Sequence, residues 1–337
     1  MANEIQEKEI ILASGRAIKV ITLSNGQLTI VVHNFGARLH QLYAPDKNGT
    51  FENILLSKDN SDSYENDNGY YGVICGPVAG RIANASFGEV TLVANEGRNT
   101  LHSGPNGWEY QIWDYNTSVN EKGPAITLRL KDTFSEFPGE IEVEVTYQLS
   151  GSTLIVEMAG QSNQDTVFNP AFHPYFNLTA DHSDTLNHVL YTTADQLVET
   201  NKENIPTGRL INVDDTIYNL KESVIIKDII SEIPQGFDDC FVFPNDESKK
   251  SLTLLDPKSG RKLKCETDRQ AVVIYTATNP EKSLVNGKMM SPNRGIAIEF
   301  QELPDLVHHS EWGSIELKKG IKKKYRSKYH FSLFDKL

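Results

Sequence analysis

The sequence predicts an all-β protein, a large antiparallel β-sandwich with few short helices, and three observations carry that expectation. Apolar and polar residues alternate wherever the chain is regular. The alternating runs are short, and many are followed closely by Gly, Asn, Asp or Pro. Amphipathic helical periodicity is nearly absent.

In chain order, the first strand candidates are residues 18–23 and 28–33, followed by 90–93 and 126–130. The clearest is the stretch in which Ile141, Val143, Val145, Tyr147 and Leu149 fall on one face and Glu142, Glu144, Thr146 and Gln148 on the other. Side chains of a strand alternate between faces, so this pattern reads as a strand buried on one side. Residues 154–158, 252–255 and 272–277 follow. The last candidate sets Tyr325, Tyr329, Phe331 and Leu333 against Arg326, Lys328 and His330. Only residues 220–233 suggest a helix of any length, and the β-branched run Val224-Ile225-Ile226 weakens it. Residues 57–68 and 105–110 read as loops long enough to rim a cleft. Without a linker, low-complexity stretch or fixed-period repeat, residues 1–337 read as one domain.

The charge balance narrows the function classes. The 33 basic residues are outnumbered by 45 acidic ones, a net charge of −12. Such a field repels phosphate backbones and anionic lipid, so neither nucleic acid nor a membrane is the expected partner. The first nine residues lack the basic start and apolar core of a signal peptide, and no apolar stretch approaches membrane-spanning length. Cys75, Cys240 and Cys265 are widely spaced and form no CxxC pair, which argues against a disulfide framework or a zinc site and for a reducing cytoplasm. No nucleotide or metal signature is present, and the expected assembly is a monomer or weak homodimer.

Two segments stand out chemically. Glu299 lies in Gly295-Ile296-Ala297-Ile298-Glu299-Phe300-Gln301, an apolar run that should be an interior strand, and a carboxylate there is either hydrogen-bonded or functionally retained. Read from the residues alone, pairing with an arginine is the commoner outcome. His173 lies in Asn169-Pro170-Ala171-Phe172-His173-Pro174-Tyr175-Phe176-Asn177-Leu178, its backbone restrained by two prolines and its ring flanked by aromatics. A packed core histidine bonded to a carbonyl is the commoner reading without further context.

Together these segments resemble the aldose 1-epimerase (galactose mutarotase) family, in which an Asn-Pro-x-x-His-x-Tyr-Phe-Asn-Leu stretch carries a general-acid histidine and a late strand ending Glu-x-Gln carries the general-base glutamate. The resemblance implies a galactose mutarotase-like β-sandwich and interconversion of the α and β anomers of free hexoses by ring opening and closure, without a cofactor. On that basis Glu299 is the expected base and stays ionised, His173 is the expected acid, and kcat/KM is bell-shaped in pH.

Further ordered matches extend the resemblance from about residue 35 to the C-terminus. His102, in Asn99-Thr100-Leu101-His102-Ser103-Gly104, is expected to assist from the side of His173; Ser103 stands where the family has glycine. Arg81 and Asn84, in Gly80-Arg81-Ile82-Ala83-Asn84, and Asp238, in Gly236-Phe237-Asp238-Asp239-Cys240-Phe241, are expected to bind sugar hydroxyls. Asp239 replaces the histidine that usually follows. Arg269 is a further expected sugar ligand, beside Gln270 where the family usually has proline. His308 and His309, if on a strand, point to opposite faces and cannot chelate one ion. The alternatives are a maltose epimerase, with the loop Trp108-Glu109-Tyr110 lining or blocking the cleft; a hexose-6-phosphate mutarotase; a sugar-binding protein without turnover; or a glycosidase using Asp238 and Glu299.

Overall fold

The computed structural model describes residues 3–179, 181–277 and 283–334. Three antiparallel sheets carry the architecture. The first is a meander of five strands, Glu4–Ile11, Ala17–Ser24, Thr29–His33, Arg38–Pro45 and Phe51–Asn53. The second has nine, in the order Asp114–Asn120, Gly123–Asp132, Ile141–Ser150, Thr153–Ser162, Lys323–Leu333, Arg261–Thr267, Ser251–Leu255, Val189–Thr192 and Val224–Ile225. The third runs Tyr175–Phe176, Ile296–Gln301, Ala271–Thr276, Asp238–Val242, Gln196–Thr200 and Pro206–Asn212.

The predicted alternation is realised except at Gln148, which is buried, and Leu333, which is exposed. In Ile141–Ser150 the residues Ile141, Val143, Val145, Tyr147 and Leu149 are buried while Glu142 is exposed. The C-terminal strand buries Tyr325, Tyr329 and Phe331 and exposes Lys328 and His330. It pairs with Thr153–Ser162 on one side and Arg261–Thr267 on the other, which ties the chain's end into the middle of the large sheet. One buried cluster draws on all three sheets, from Ile21, Ile30 and Leu42 through Val143, Leu263 and Tyr329 to Ile274, Ile298 and Phe300. The sheets therefore share a core, the arrangement that satisfies a one-sided apolar face.

Ile298 and Phe300 turn toward that core, so period two sends Ala297, Glu299 and Gln301 to the other face of the same strand. All six residues of Ile296–Gln301 are buried, because loops cover the second face. That second face is where the candidate residues gather.

Some expectations change. Residues 220–233 hold only a short helix, Ile226–Ile230, after the two-residue strand Val224–Ile225; the β-branched run begins as strand, as its conformational preference favours. Trp108 does not rim a cleft: it is fully buried in the shared core, and its indole N–H donates to Asp132 Oδ2 at 2.8 Å. Residues 90–93 are strand only at Val90–Thr91. His308 and His309 lie outside any strand; His308 meets Asp305 and His309 stacks on Trp312. All three cysteines are buried free thiols. Among the described residues no helix is long and apolar enough to cross a membrane.

Candidate active site

Glu299 and His173 meet from different segments. The Tyr175–Phe176 strand pairs with Ile296–Gln301, so the chain just before it passes over the face bearing Glu299. His173 is pinned by two backbone bonds, its N–H donating to Val73 O at 3.0 Å and its carbonyl accepting from Gly72 N at 2.9 Å. Gly72 is required there: its φ is +65°, and a Cβ would sit 2.2 Å from Leu39 O. The result brings His173 Nε2 to 3.2 Å from Glu299 Oε1, with both side chains 4% exposed. The His173 Nδ1 atom has no partner among the described residues, so no carbonyl orients the ring. Aromatic neighbours do so instead: Tyr175 at 5.0 Å, His102 at 5.5 Å edge-on and Tyr70 at 5.8 Å between centroids.

His102 arrives on a tight turn. His102 and Ser103 both adopt left-handed φ, +48° and +69°. The Ser103 hydroxyl accepts from Val78 N at 2.8 Å and donates to Val78 O at 2.9 Å, so the serine supplies hydrogen bonds that compensate the backbone conformation a glycine would take freely. The departure from glycine thus leaves the turn intact. Gly80 N donates to His102 Nδ1 at 3.2 Å, which places the proton of the neutral ring on Nε2. Ligand atoms of His102, His173 and Glu299 all lie within 4.8 Å of one another. A metal would need an imidazole lone pair that His102 has already given to Gly80, whereas a hydroxyl-bearing ligand meets an N–H donor.

Arg81 and Asp238 flank this group. The Arg81 guanidinium binds Glu96 through Nε at 2.5 Å and Nη2 at 3.0 Å, and Nη2 also reaches Asp238 Oδ2 at 3.4 Å. Its Nη1 and the Asp238 Oδ1 have no partner among the described residues. Asp238 lies opposite Tyr275 and Cys240 opposite Val273, itself opposite Glu299, so Asp238 shares the face of Glu299. Asp239 faces the other way, opposite Ile274, and burial pushes its carboxyl up to about 7. Its replacement of a histidine therefore leaves the cleft unchanged.

The other two expected sugar ligands, Asn84 and Arg269, differ in exposure. Asn84 is an exposed turn residue with φ +55°, and its N–H donates to Asn99 Oδ1 at 3.0 Å. Asn is a residue that tolerates that conformation. Arg269 is 0% exposed and lies behind the site. It donates to Glu302 at 3.0 Å, to Pro170 O at 2.8 Å and to Asn169 Oδ1, and stacks 3.6 Å over the Tyr325 ring. Its donors clamp the turn before His173 to the residue three beyond Glu299.

Burial sets the proton affinities. It lowers His173 to about 4 and holds His102 well below the ordinary imidazole value, where His173 and Arg81 add repulsion. Burial also raises the Glu299 carboxyl well above the ordinary range, reinforced by Asp238 and opposed by Arg81. The expectation that Glu299 is simply ionised changes: burial favours the net-neutral pair, with the proton on the Glu299 carboxyl and the His173 imidazole neutral.

A family model for aldose 1-epimerase matches residues 19–332. The chain belongs to the aldose 1-epimerase family. It is 34% identical to an aldose 1-epimerase of Streptococcus thermophilus, over 94% of this chain and 95% of that one. It is 29% identical to a maltose epimerase of Levilactobacillus brevis, over 88% and 89%. A solved aldose epimerase homologue from C. elegans superposes with a TM-score of 0.86 at 26% identity, covering 99% of this chain and all of that one.

Within this aldose 1-epimerase fold, sequence reasoning missed Tyr70, Glu96 and Asn204. Tyr70 has φ +55° and its ring lies 4.5 Å from that of His102. A bulky residue in that conformation, over two candidate histidines, marks a site, and nothing in Gly69-Tyr70-Tyr71-Gly72 announces it beyond flanking glycines. Asn204 donates to Asp238 Oδ2 at 2.9 Å, a contact across 34 residues of sequence with no local signal.

Proposed function

We propose that this isomerase interconverts the α and β anomers of free hexoses such as galactose and glucose, in the cytoplasm, as one domain spanning residues 1–337 and without metal or nucleotide. The observation that carries the reading is the 3.2 Å contact between Glu299 and His173, with His102 in the same group. The two oxygens that exchange protons, the C1 hydroxyl and the ring oxygen, sit on one carbon. An acid and a base in mutual contact reach both.

In the forward direction the pair reacts from the tautomer in which its proton has passed from Glu299 to His173: the Glu299 carboxylate takes the C1 hydroxyl proton, the O–H electrons become the carbonyl π bond, and the C1–ring oxygen bond breaks as His173 protonates the departing oxygen. Rotation about C1–C2 presents the other carbonyl face, and closure reverses each transfer. The pair begins and ends with one proton. Acid and base catalysis at ~10²–10⁴ each supply the main rate terms. His102 Nε2–H donates a hydrogen bond to the reacting side of the sugar, while Arg81 Nη1 and Asp238 Oδ1 meet hydroxyls.

The neighbourhood of Asp238, Glu96 and Glu299 is acidic, and Arg81 is already committed to two carboxylates, which disfavours a phosphorylated sugar. A glycosidase reading leaves His173 without a task. The test is mutarotation of galactose, glucose, maltose and glucose 6-phosphate under one condition. Galactose or glucose should accelerate most; glucose 6-phosphate as the best substrate would overturn the reading.

A further inference from the structure

The side chain that orients Asp238 comes from a rigid turn between strands Gln196–Thr200 and Pro206–Asn212. Asn201 closes this turn: its Oδ1 accepts from Glu203 N at 2.8 Å and Ile205 N at 3.2 Å, and its carbonyl accepts from Asn204 N at 3.0 Å. Asn204 is half-buried and left-handed, φ +55°, a conformation that Asn adopts more readily than most residues. Next to it, Glu203 Oε2 accepts from Arg98 Nε at 3.1 Å and Asn99 Nδ2 at 3.2 Å, on the turn that leads into His102. The turn is thus fixed at its base and latched across to the His102 segment.

We propose that Asn204 is a positioning residue of the sugar-hydroxyl subsite: its amide holds Asp238 Oδ2 and leaves Oδ1 aimed at a substrate hydroxyl. With Arg81 on the same carboxylate oxygen, Asp238 cannot rotate without breaking two bonds. This inference rests on the sugar-binding role given to Asp238 above.

Two variants test it. Asn204→Asp keeps the shape and the left-handed tolerance but replaces the donor with an acceptor facing Asp238; Asn204→Gly removes the side chain and keeps the backbone freedom. Each should raise KM for galactose about tenfold, the scale of a hydrogen bond to a charged group, with kcat changed by less than about threefold. The same substitutions made in Asp238→Asn should add less than about twofold, because the oriented group is gone. A full effect persisting in the Asp238→Asn background would mean a merely structural turn and overturn the inference. An unchanged KM in both Asn204 variants, while Asp238→Asn alone raises it, would also overturn it. An unchanged KM in Asp238→Asn would instead refute the subsite on which it rests.

Discussion

Replacing Arg269 with Met separates two accounts of that residue. As a sugar ligand, its loss should raise KM and leave stability nearly untouched. As a buried clamp, its loss strands the Glu302 carboxylate and releases Asn169 and Pro170. Breaking a buried pair from one side costs about 3–5 kcal/mol, because the remaining charge is left without a partner. With an unfolding entropy of about 2.1 cal/mol/K per residue, a chain of 337 residues should lose roughly 4–7 °C in Tm. The turn that loosens precedes His173 by only a few residues, and small misplacement of a catalytic group is costly. We expect kcat to fall about 10–100-fold with KM within about threefold. Thermal unfolding and initial mutarotation rates read both quantities. An unaltered Tm with a raised KM would refute the clamp.

Other outcomes follow from the same geometry. The pH profile of kcat/KM should be a broad plateau: burial lowers His173 to about 4, so the doubly protonated pair appears only as pH falls toward that value, and burial raises Glu299, so the last proton leaves above the ordinary carboxylate range. An acid limb at the ordinary imidazole pKa would contradict this. Ser103→Ala and Ser103→Gly both lose the two bonds to Val78, but only alanine keeps the left-handed strain, so it should be less stable than Ser103→Gly by about 1 kcal/mol or more; equal stabilities would show that the left-handed backbone carries no strain there. Asp239→Asn should leave KM for galactose unaltered while Asp238→Asn raises it, and a raised KM in the Asp239 variant would contradict its placement on the reverse face.

What the sequence made readable follows from which forces act locally. One-sided burial writes itself as alternation, so the faces of Ile141–Ser150 and the C-terminal strand could be read directly. Glu299 was conspicuous because its strand is buried on both faces and a carboxylate there is costly. Its contact with His173 joins residues 126 apart, and no spacing rule predicts such an approach; the family resemblance supplied that expectation. Arg269 was misread because an arginine near a site looks the same in sequence whether its fork meets a ligand or Glu302 and two backbone-proximal acceptors. Trp108 was misread for the opposite reason: a loop by composition, it turns its ring into the core and satisfies its N–H on Asp132. The left-handed conformation at Tyr70 had no local signature beyond flanking glycines, and although the Asn204 turn is closed locally by Asn201, its contact with Asp238 is not local.

In the proposed reaction Glu299 and His173 together move the protons that open and close the sugar ring. Polarimetry of freshly dissolved α-D-galactose with the wild-type protein and with Glu299→Gln tests it most directly. The wild type should speed the drift to equilibrium, and the variant, which keeps the shape but cannot take a proton, should fall to within a few-fold of buffer. A variant that retains wild-type acceleration, or a wild type that matches buffer on both galactose and glucose, would contradict it.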